Sequence, residues 1–328
     1  MRVAATSGFD WRSLRLDRTA IWIVLVALFA VAAMLSDSFL RPIYVFNIMR
    51  QAAPVGIAAV GVTLVMILGG VDLSVGAIIS LTAVVAAVTM DGEVANIPFA
   101  LAITLTVGTA IGLINGLLIA YNRVSPFILT LGTAIAVFGI TQIYSGGTAR
   151  GIVAPGFREF FNYRVGGWVP VLAIALWVIV LAGLWLQRAT VLGRAFYLIG
   201  DNRAAARLAG LAVAPITVIA YTISGFTASL GGVALLARSG VSSTFVGRGL
   251  EFDVLAAVVL GGTTFEGGRG GIGGTIAAVF VLLIAFNLVN ILGFSYQSQL
   301  IVKGGIIILA SAAYGYLKGR GGYLKGRG

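Results

Sequence analysis

Runs of about twenty apolar residues recur along this chain, and they limit what it can become more than any other feature. A helix crossing a bilayer needs roughly 20 mostly apolar residues, with a range of about 17–25. Such runs lie at 19–36, 43–69, 72–90, 96–121, 126–145, 168–187, 213–237, 251–262, 271–293 and 298–317. The eighth is too short to cross as a straight helix and reads as a half-helix broken at Gly261-Gly262. Of the 328 residues 59% are apolar and 10% charged, against about 45–50% and about 25% in soluble domains. So much apolar surface cannot be hidden inside one globule of this size. The pattern excludes a disordered chain, a coiled coil and a soluble enzyme. It predicts an all-α integral membrane protein of about ten transmembrane helices.

The residues that are missing narrow the chemistry. The chain has no cysteine and no histidine. Thiolate nucleophiles, disulfides, thiolate metal sites and imidazole bases are therefore excluded. Lysine occurs only at Lys303, Lys318 and Lys325, and none follows a glycine. No G-x-x-x-x-G-K-[ST] phosphate loop is present, so any ATP that powers the protein binds another chain. The net charge of +11 would point to nucleic acid in a soluble protein. In a membrane protein it reads as basic cytoplasmic loops, with no nucleic acid partner.

Ten spans put both termini on one side. The basic residues of the terminal side (Arg2, Arg12, Arg15, Arg18, Arg123, Arg188, Arg194, Arg203, Arg207, Arg269, Lys318, Arg320, Lys325 and Arg327) outnumber those opposite (Arg41, Arg50, Arg150, Arg158, Arg164, Arg238 and Arg248). The positive-inside rule then places both termini in the cytoplasm. Residues 1–18 form a cytoplasmic segment, 19–317 a transmembrane domain and 318–328 a basic tail. Ala30-Val31-Ala32 imitates a signal-peptide cleavage site, but Asp10 and Asp17 dilute the basic segment ahead of it, and the run is read as a retained span. Residues 146–167 form an external loop long enough for a short surface helix. Residues 188–212 form the longest cytoplasmic loop. The tail holds Gly-Tyr-Leu-Lys-Gly-Arg-Gly twice in tandem, at 315–321 and 322–328, which reads as a cloning duplication or as a basic tail on anionic lipid.

Three motifs stand out. In Gly69-Gly70-Val71-Asp72-Leu73-Ser74-Val75-Gly76, the glycines suit a left-handed helix end and Asp72 suits a cap on the backbone N–H groups of Leu73–Val75. The motif is either a tight capped hairpin or a functional site, because an aspartate beside a span is costly to keep. In 260–275 the cluster that includes Gly261, Gly262, Gly267 and Gly268 is too rich in glycine for a lipid-facing helix. Irregular backbone at that depth needs protein or water around it. Both motifs begin Leu-Gly-Gly on the same side, a hint of two similar halves. In 200–211, Asp201 or Asn202 suits an N-cap, Ala204-Ala205-Ala206-Arg207 is strongly helical and Gly210 suits a stop. That short helix either lies on headgroups or docks into a groove of a cytoplasmic partner.

Together the motifs resemble the permease subunit of the ribose-type monosaccharide ABC importers. That family's pattern is GGxDLSVG after the second span, then a GNxxAAxxSGI-like cytoplasmic segment, then AxVxGGTSxxGGxGxxxGT near the last spans. Here they read GGVDLSVG, GDNRAAARLAGL and AAVVLGGTTFEGGRGGIGGT. The likeness runs from about Phe46 to Gly315, and Gly69, Gly70, Asp72, Ser74 and Gly76 are its most specific part. Ala209, Leu211 and Thr264 depart from the family's usual serine, isoleucine and serine. The resemblance implies a bacterial inner-membrane subunit that is not itself an enzyme. It implies that Gly200, Asp201, Asn202, Ala205, Ala206, Arg207 and Gly210 belong to a coupling helix seated on a separate ATP-binding subunit, which uses ATP and Mg. It also implies a second permease, identical or paralogous, and a periplasmic sugar-binding protein.

That partner would give the external arginines a role. Arg150, Arg158, Arg164, Arg238 and Arg248 either meet acidic residues of the binding protein or are simply solvated. The pathway is poorly marked. Asn115, Gln142, Asn287 and Asn290 carry amides that bond sugar hydroxyls or neighbouring helices equally well, and Gly108, Gly112 and Gly116 read as a helix-packing face. Lys303 reads as a snorkelling side chain. Two other readings stay open beside a sugar permease. A branched-chain amino-acid importer has a similar fold but lacks the Asp-Leu-Ser-Val-Gly stretch. An ion-coupled transporter would need mid-span carboxylates, whereas Asp72, Glu251, Asp253 and Glu266 all fall at span ends.

Overall fold

A computed structural model describes residues 16–36, 39–122 and 124–293, with a few more positions between 297 and 308. The first fifteen residues, most of the expected tenth span, Arg123, Lys303 and the duplicated tail lie outside the described residues. The rest is helical: α1 (Leu16–Leu35), α2 (Pro42–Ile67), α3 (Val75–Met90), α4 (Ile97–Asn122), α5 (Pro126–Ser145), α6 (Pro155–Asn162), α7 (Val171–Ala189), α8 (Val191–Asp201), α9 (Arg203–Leu208), α10 (Val213–Ser239), α11 (Leu250–Leu260) and α12 (Ile272–Ile291). Six of them, α2, α4, α5, α7, α10 and α12, are long and apolar enough to cross a membrane. The eighth run is the half-helix expected of it: α11 is 11 residues long and ends against Gly261.

Three boundaries differ from the sequence reading. α3 starts at Val75 rather than at residue 72, because Val71–Ser74 runs irregularly through the protein. α7 starts at Val171, because Val169–Pro170 pairs antiparallel with Arg164–Val165 in a two-residue ladder. Residues 188–212 form two capped helices rather than an open loop. Thr190 Oγ1 accepts the Gly193 N–H at 3.0 Å to cap α8, and Asn202 Oδ1 accepts the Ala205 N–H at 2.9 Å to cap α9.

The core lies around α10, which packs on α4, α2 and α3. α2 and α10 are buried along most of their length, as expected of helices that are apolar all round. α4 and α5 bury one narrow face and present Phe99, Ile114, Phe127, Ile135 and Ile143 outward. Gly108, Gly112 and Gly116 form the expected packing face. A Cβ on Gly112 would collide with the Tyr221 carbonyl oxygen and stand 2.9 Å from the Gly225 Cα. Two backbones thus touch where no side chain intervenes, the means by which membrane helices approach closely. Gly112→Ala is therefore expected to destabilise the bundle by about 1–3 kcal/mol, the usual cost of overpacking. Thermal unfolding of the detergent-purified protein reads this as a fall of several degrees in Tm, and an unchanged Tm would contradict the packing.

Candidate functional site

The stretch from Gly69 to Gly76 is built from a helix stop, a buried turn and a restart. α2 ends when Gly69 takes φ +83°. Its N–H donates to Met66 O at 2.9 Å, and that of Gly70 donates to Val65 O at 2.9 Å. This paired closure satisfies the last carbonyls of the helix and favours glycine at the left-handed position. α11 stops in the same way, with Gly262 at φ +89° and Thr263 N–H on Val258 O at 3.1 Å. Both motifs read Leu-Gly-Gly, but the left-handed residue is the first glycine of one and the second of the other.

Beyond Gly70 the backbone runs irregularly inside the protein, where its polar groups need protein partners. Thr130 Oγ1 accepts the Leu73 N–H at 3.1 Å and shares its own proton between Pro126 O at 2.8 Å and Val71 O at 3.3 Å, and Tyr221 Oη donates to Val71 O at 3.2 Å. Asp72 is 2% exposed. Its Oδ1 accepts the Ser74 N–H at 3.0 Å and the Ser74 Oγ–H at 2.5 Å; its Oδ2 accepts Ser224 Oγ–H at 2.7 Å. The carboxylate therefore binds fewer α3 amides than a cap would, and ties the loop to α10 instead. Asn115 extends this network: its Nδ2 donates to Ser74 Oγ at 3.1 Å and its Oδ1 accepts Thr133 Oγ1–H at 2.7 Å. Both ends of that amide are engaged, although its residue type alone left a pathway role open.

The three motifs, far apart in sequence, meet at the end of α2. The Gly268 N–H donates to Ile67 O at 2.8 Å. A Cβ on Gly267 would stand 2.7 Å from Gly69 N and 3.0 Å from the Gly200 Cα. A Cβ on Gly200 would collide with the Ile67 carbonyl oxygen and lie 2.5 Å from Gly268 N. Gly200 and Asp201 belong to the end of α8 rather than to α9, and Gly200 is the point of closest approach. Two residues that the sequence reading missed hold the glycine loop from the other side. Gln187 Oε1 accepts the Ile272 N–H at 3.1 Å, Gln187 Nε2 donates to Tyr197 Oη, and Tyr197 Oη donates to Gly270 O at 2.9 Å. Only their polar character inside an apolar stretch marks them in sequence.

α9 hangs from this junction. The Gly210 N–H donates to Arg207 O and the Leu211 N–H to Ala206 O, with Gly210 at φ +82°, so Gly210 is the stop expected of it. Ala206 is the one buried residue of the helix, and Leu208 is 91% exposed. Ala205 and Arg207 are exposed as well.

The arginines lie at the opposite end of α2, beside α6 and the end of α10. Arg50 Nη1 donates to Asn162 Oδ1 at 2.5 Å, Arg164 Nη2 to Asn47 Oδ1 at 2.9 Å, and Arg238 Nη1 to Gln51 O at 3.4 Å. Arg164 and Arg238 are half-buried, whereas Arg150, Arg158 and Arg248 are exposed, with Arg150 Nη1 donating to Tyr144 O at 2.7 Å. Arg150 lies 6.0 Å from the Tyr144 ring centroid, and Arg248 lies 5.9 Å from that of Phe138. Gln142 sits on α5, and Asn287 and Asn290 sit on α12. α5 packs chiefly on α3 and α4, and α12 on α1, α2, α7 and α11, so these amides are not drawn into one site. Gln142 Oε1 and Asn287 Nδ2 are buried without a hydrogen-bond partner. Among the described residues no group of three acidic side chains is placed to hold a metal ion.

Long apolar helices, a buried irregular turn with a carboxylate, and a small polar helix projecting from one end define a multi-pass membrane protein. The family model described as "Branched-chain amino acid transport system / permease component" matches residues 44–311. The chain is 39% identical over 296 residues to the ribose import permease protein RbsC of Escherichia coli strain K12, covering 88% of this chain and 90% of that one. It is 38% identical over 292 residues to the ribose import permease protein RbsC of Bacillus subtilis strain 168, covering 87% and 89%. It is 34% identical over 315 residues to the galactose/methyl galactoside import permease protein MglC of Salmonella typhimurium strain LT2, covering 90% and 94%. The chain belongs to this permease family and is an all-α, multi-pass membrane protein. No solved structure matches it.

Proposed function

We propose that this chain is the membrane-spanning subunit of an ABC importer that takes up a monosaccharide delivered by a periplasmic binding protein. Its relatives import ribose and galactose, and the Asp-Leu-Ser-Val-Gly stretch argues for sugar over branched-chain amino acids. ATP and Mg act in a separate ATP-binding subunit, and a second permease completes the path. The protein sits in a bacterial inner membrane with both termini, α9 and the glycine junction in the cytoplasm. Its transmembrane domain spans 19–317.

The observation that carries this reading is the junction at Gly200. α9 offers an apolar side chain to a partner, and α8 behind it presses backbone to backbone on the end of α2 and on the loop between α11 and α12. A displacement of α9 is transmitted there without the slack of long side chains. ATP-driven closure of the partner dimer thereby rocks the two permease cores and alternates access to the path. Arg150, Arg158 and Arg248, exposed at the other end, supply charge complementarity for the binding protein. Gln142 and Asn287, each with a buried amide atom that has no hydrogen-bond partner, and Asn290 are proposed as separate pathway groups.

Co-purification tests the proposal. When the chain is expressed with its neighbouring genes and pulled down, an ATPase chain should co-elute, and its hydrolysis should rise when sugar-loaded binding protein is added. A chain that elutes alone and moves solute down an ion gradient would overturn the reading. Burying one leucine side chain contributes about 1.5–3 kcal/mol. Leu208→Asp is therefore expected to cut ATPase co-elution by tenfold or more while the permease still inserts, and unchanged co-elution would remove α9 from the coupling surface.

A further inference from the structure

We propose that the cavity between α9 and the ends of α4, α5 and α10 binds the phosphate headgroup of an anionic phospholipid. The cavity measures about 310 Å³. Ile119, Pro126 and Val213 form its apolar wall, and Arg203, Arg207 and Thr217 form its polar side. Arg203 is exposed but reaches back to the cavity wall, its Nη2 donating to Thr217 Oγ1 at 3.3 Å. That one bond leaves the remaining donors of Arg203, and all those of Arg207, available to an incoming oxyanion.

The position selects a lipid. The cavity opens where three apolar helices end, which is headgroup depth. Tyr121 and Phe127, 61% and 52% exposed, flank it, as aromatic residues do at a membrane interface. A phosphodiester presents its charge to the two guanidiniums while its acyl chains continue along the exposed face of α4 and α5. An acidic side chain from a protein partner would match the charge but not this apolar wall. Basic pockets between helices on the cytoplasmic side suit such headgroups. The proposal rests on the reading of α9 as the cytoplasmic coupling helix, and it makes one bound lipid a strut between α9 and the core.

Native mass spectrometry of the purified importer tests it, with phosphatidylglycerol, phosphatidylcholine or inorganic phosphate added. The wild type should retain phosphatidylglycerol in preference to phosphatidylcholine. Arg203→Gln should weaken that retention about fivefold, and Arg203→Lys should largely restore it. Size-exclusion elution of each variant reports folding. Equal retention of the two lipids, unchanged retention in Arg203→Gln, or displacement by millimolar inorganic phosphate would overturn the lipid assignment. So would a photocrosslinker at Val124 that labels the ATPase chain instead of lipid. If no ATPase chain co-elutes but phosphatidylglycerol is still retained through Arg203, the importer reading fails and the lipid site stands.

Discussion

Asp72→Ala is expected to cost the permease most of its folded population. The substitution removes the acceptor of three hydrogen bonds, two from Ser74 and one from Ser224. Leaving a buried donor unpaired costs about 1–3 kcal/mol each, against a total stability of about 5–15 kcal/mol for a typical domain. The Ser224 bond is the carboxylate's tie to α10, so the start of α3 loses that tie while Asn115 Nδ2 still donates to Ser74 Oγ. Asp72→Asn is expected to be much milder. It keeps one acceptor oxygen for Ser74, and the Ser224 hydroxyl can turn to accept from the new amide. Thermal unfolding and sugar uptake should therefore rank wild type, Asp72→Asn and Asp72→Ala in that order. An Asp72→Ala protein with wild-type Tm would show that the network holds nothing together.

Gly200→Val is expected to abolish coupled transport while leaving most of the bundle assembled. Even a single Cβ meets the Ile67 carbonyl oxygen and Gly268 N, both backbone atoms that no rotamer change can move. α8 must then lift away from α2 and the glycine loop, carrying α9 with it. The close packing of α4 on α10 runs through Gly108, Gly112 and Gly116, which meet Val218, Tyr221, Gly225 and Ser229 and not α8. The outcome to measure is a drop of at least tenfold in ATP-driven uptake, with insertion and monodispersity retained and binding-protein-stimulated hydrolysis lost. Gly210→Ala makes a contrasting control. Its φ of +82° is strained for a side chain, but no atom lies within 4 Å of the added Cβ, so it should cost far less.

Much of this architecture was legible in the sequence, because a membrane helix declares itself through its own residues. The spans at 43–69, 96–121, 126–145, 213–237 and 271–293 correspond to helices within a few residues at each end. The half-helix before Gly261-Gly262 and the Asn202 cap were equally local signals. What stayed hidden depends on distant residues. The partners of Asp72 include Ser224, 152 positions away. Nothing near either residue announces the other. The role of Gly200 shows only when the ends of α2, α8 and α11 are superposed in space. α8 is too short for a span and carries Arg194 and Asp201, so only its amphipathic period marks it as a helix. Nothing in the sequence distinguishes the arginines near the Pro42 end of α2. Hydrogen bonds to Asn47 and Gln51 of α2 separate Arg164 and Arg238, which brace the fold, from Arg150, Arg158 and Arg248, which are exposed.

Sugar conduction under the control of ATP hydrolysed elsewhere, through the junction of α2, α8 and the glycine loop, is what we propose for this chain. Uptake of radiolabelled ribose and galactose into proteoliposomes tests it most directly. The vesicles carry this chain with its ATP-binding subunit, and the binding protein is added outside. Accumulation that requires ATP and the binding protein, persists without any ion gradient and disappears in Gly200→Val is the predicted result. Accumulation driven by a proton or sodium gradient without ATP, or full ATP-driven uptake by Gly200→Val, would contradict the account.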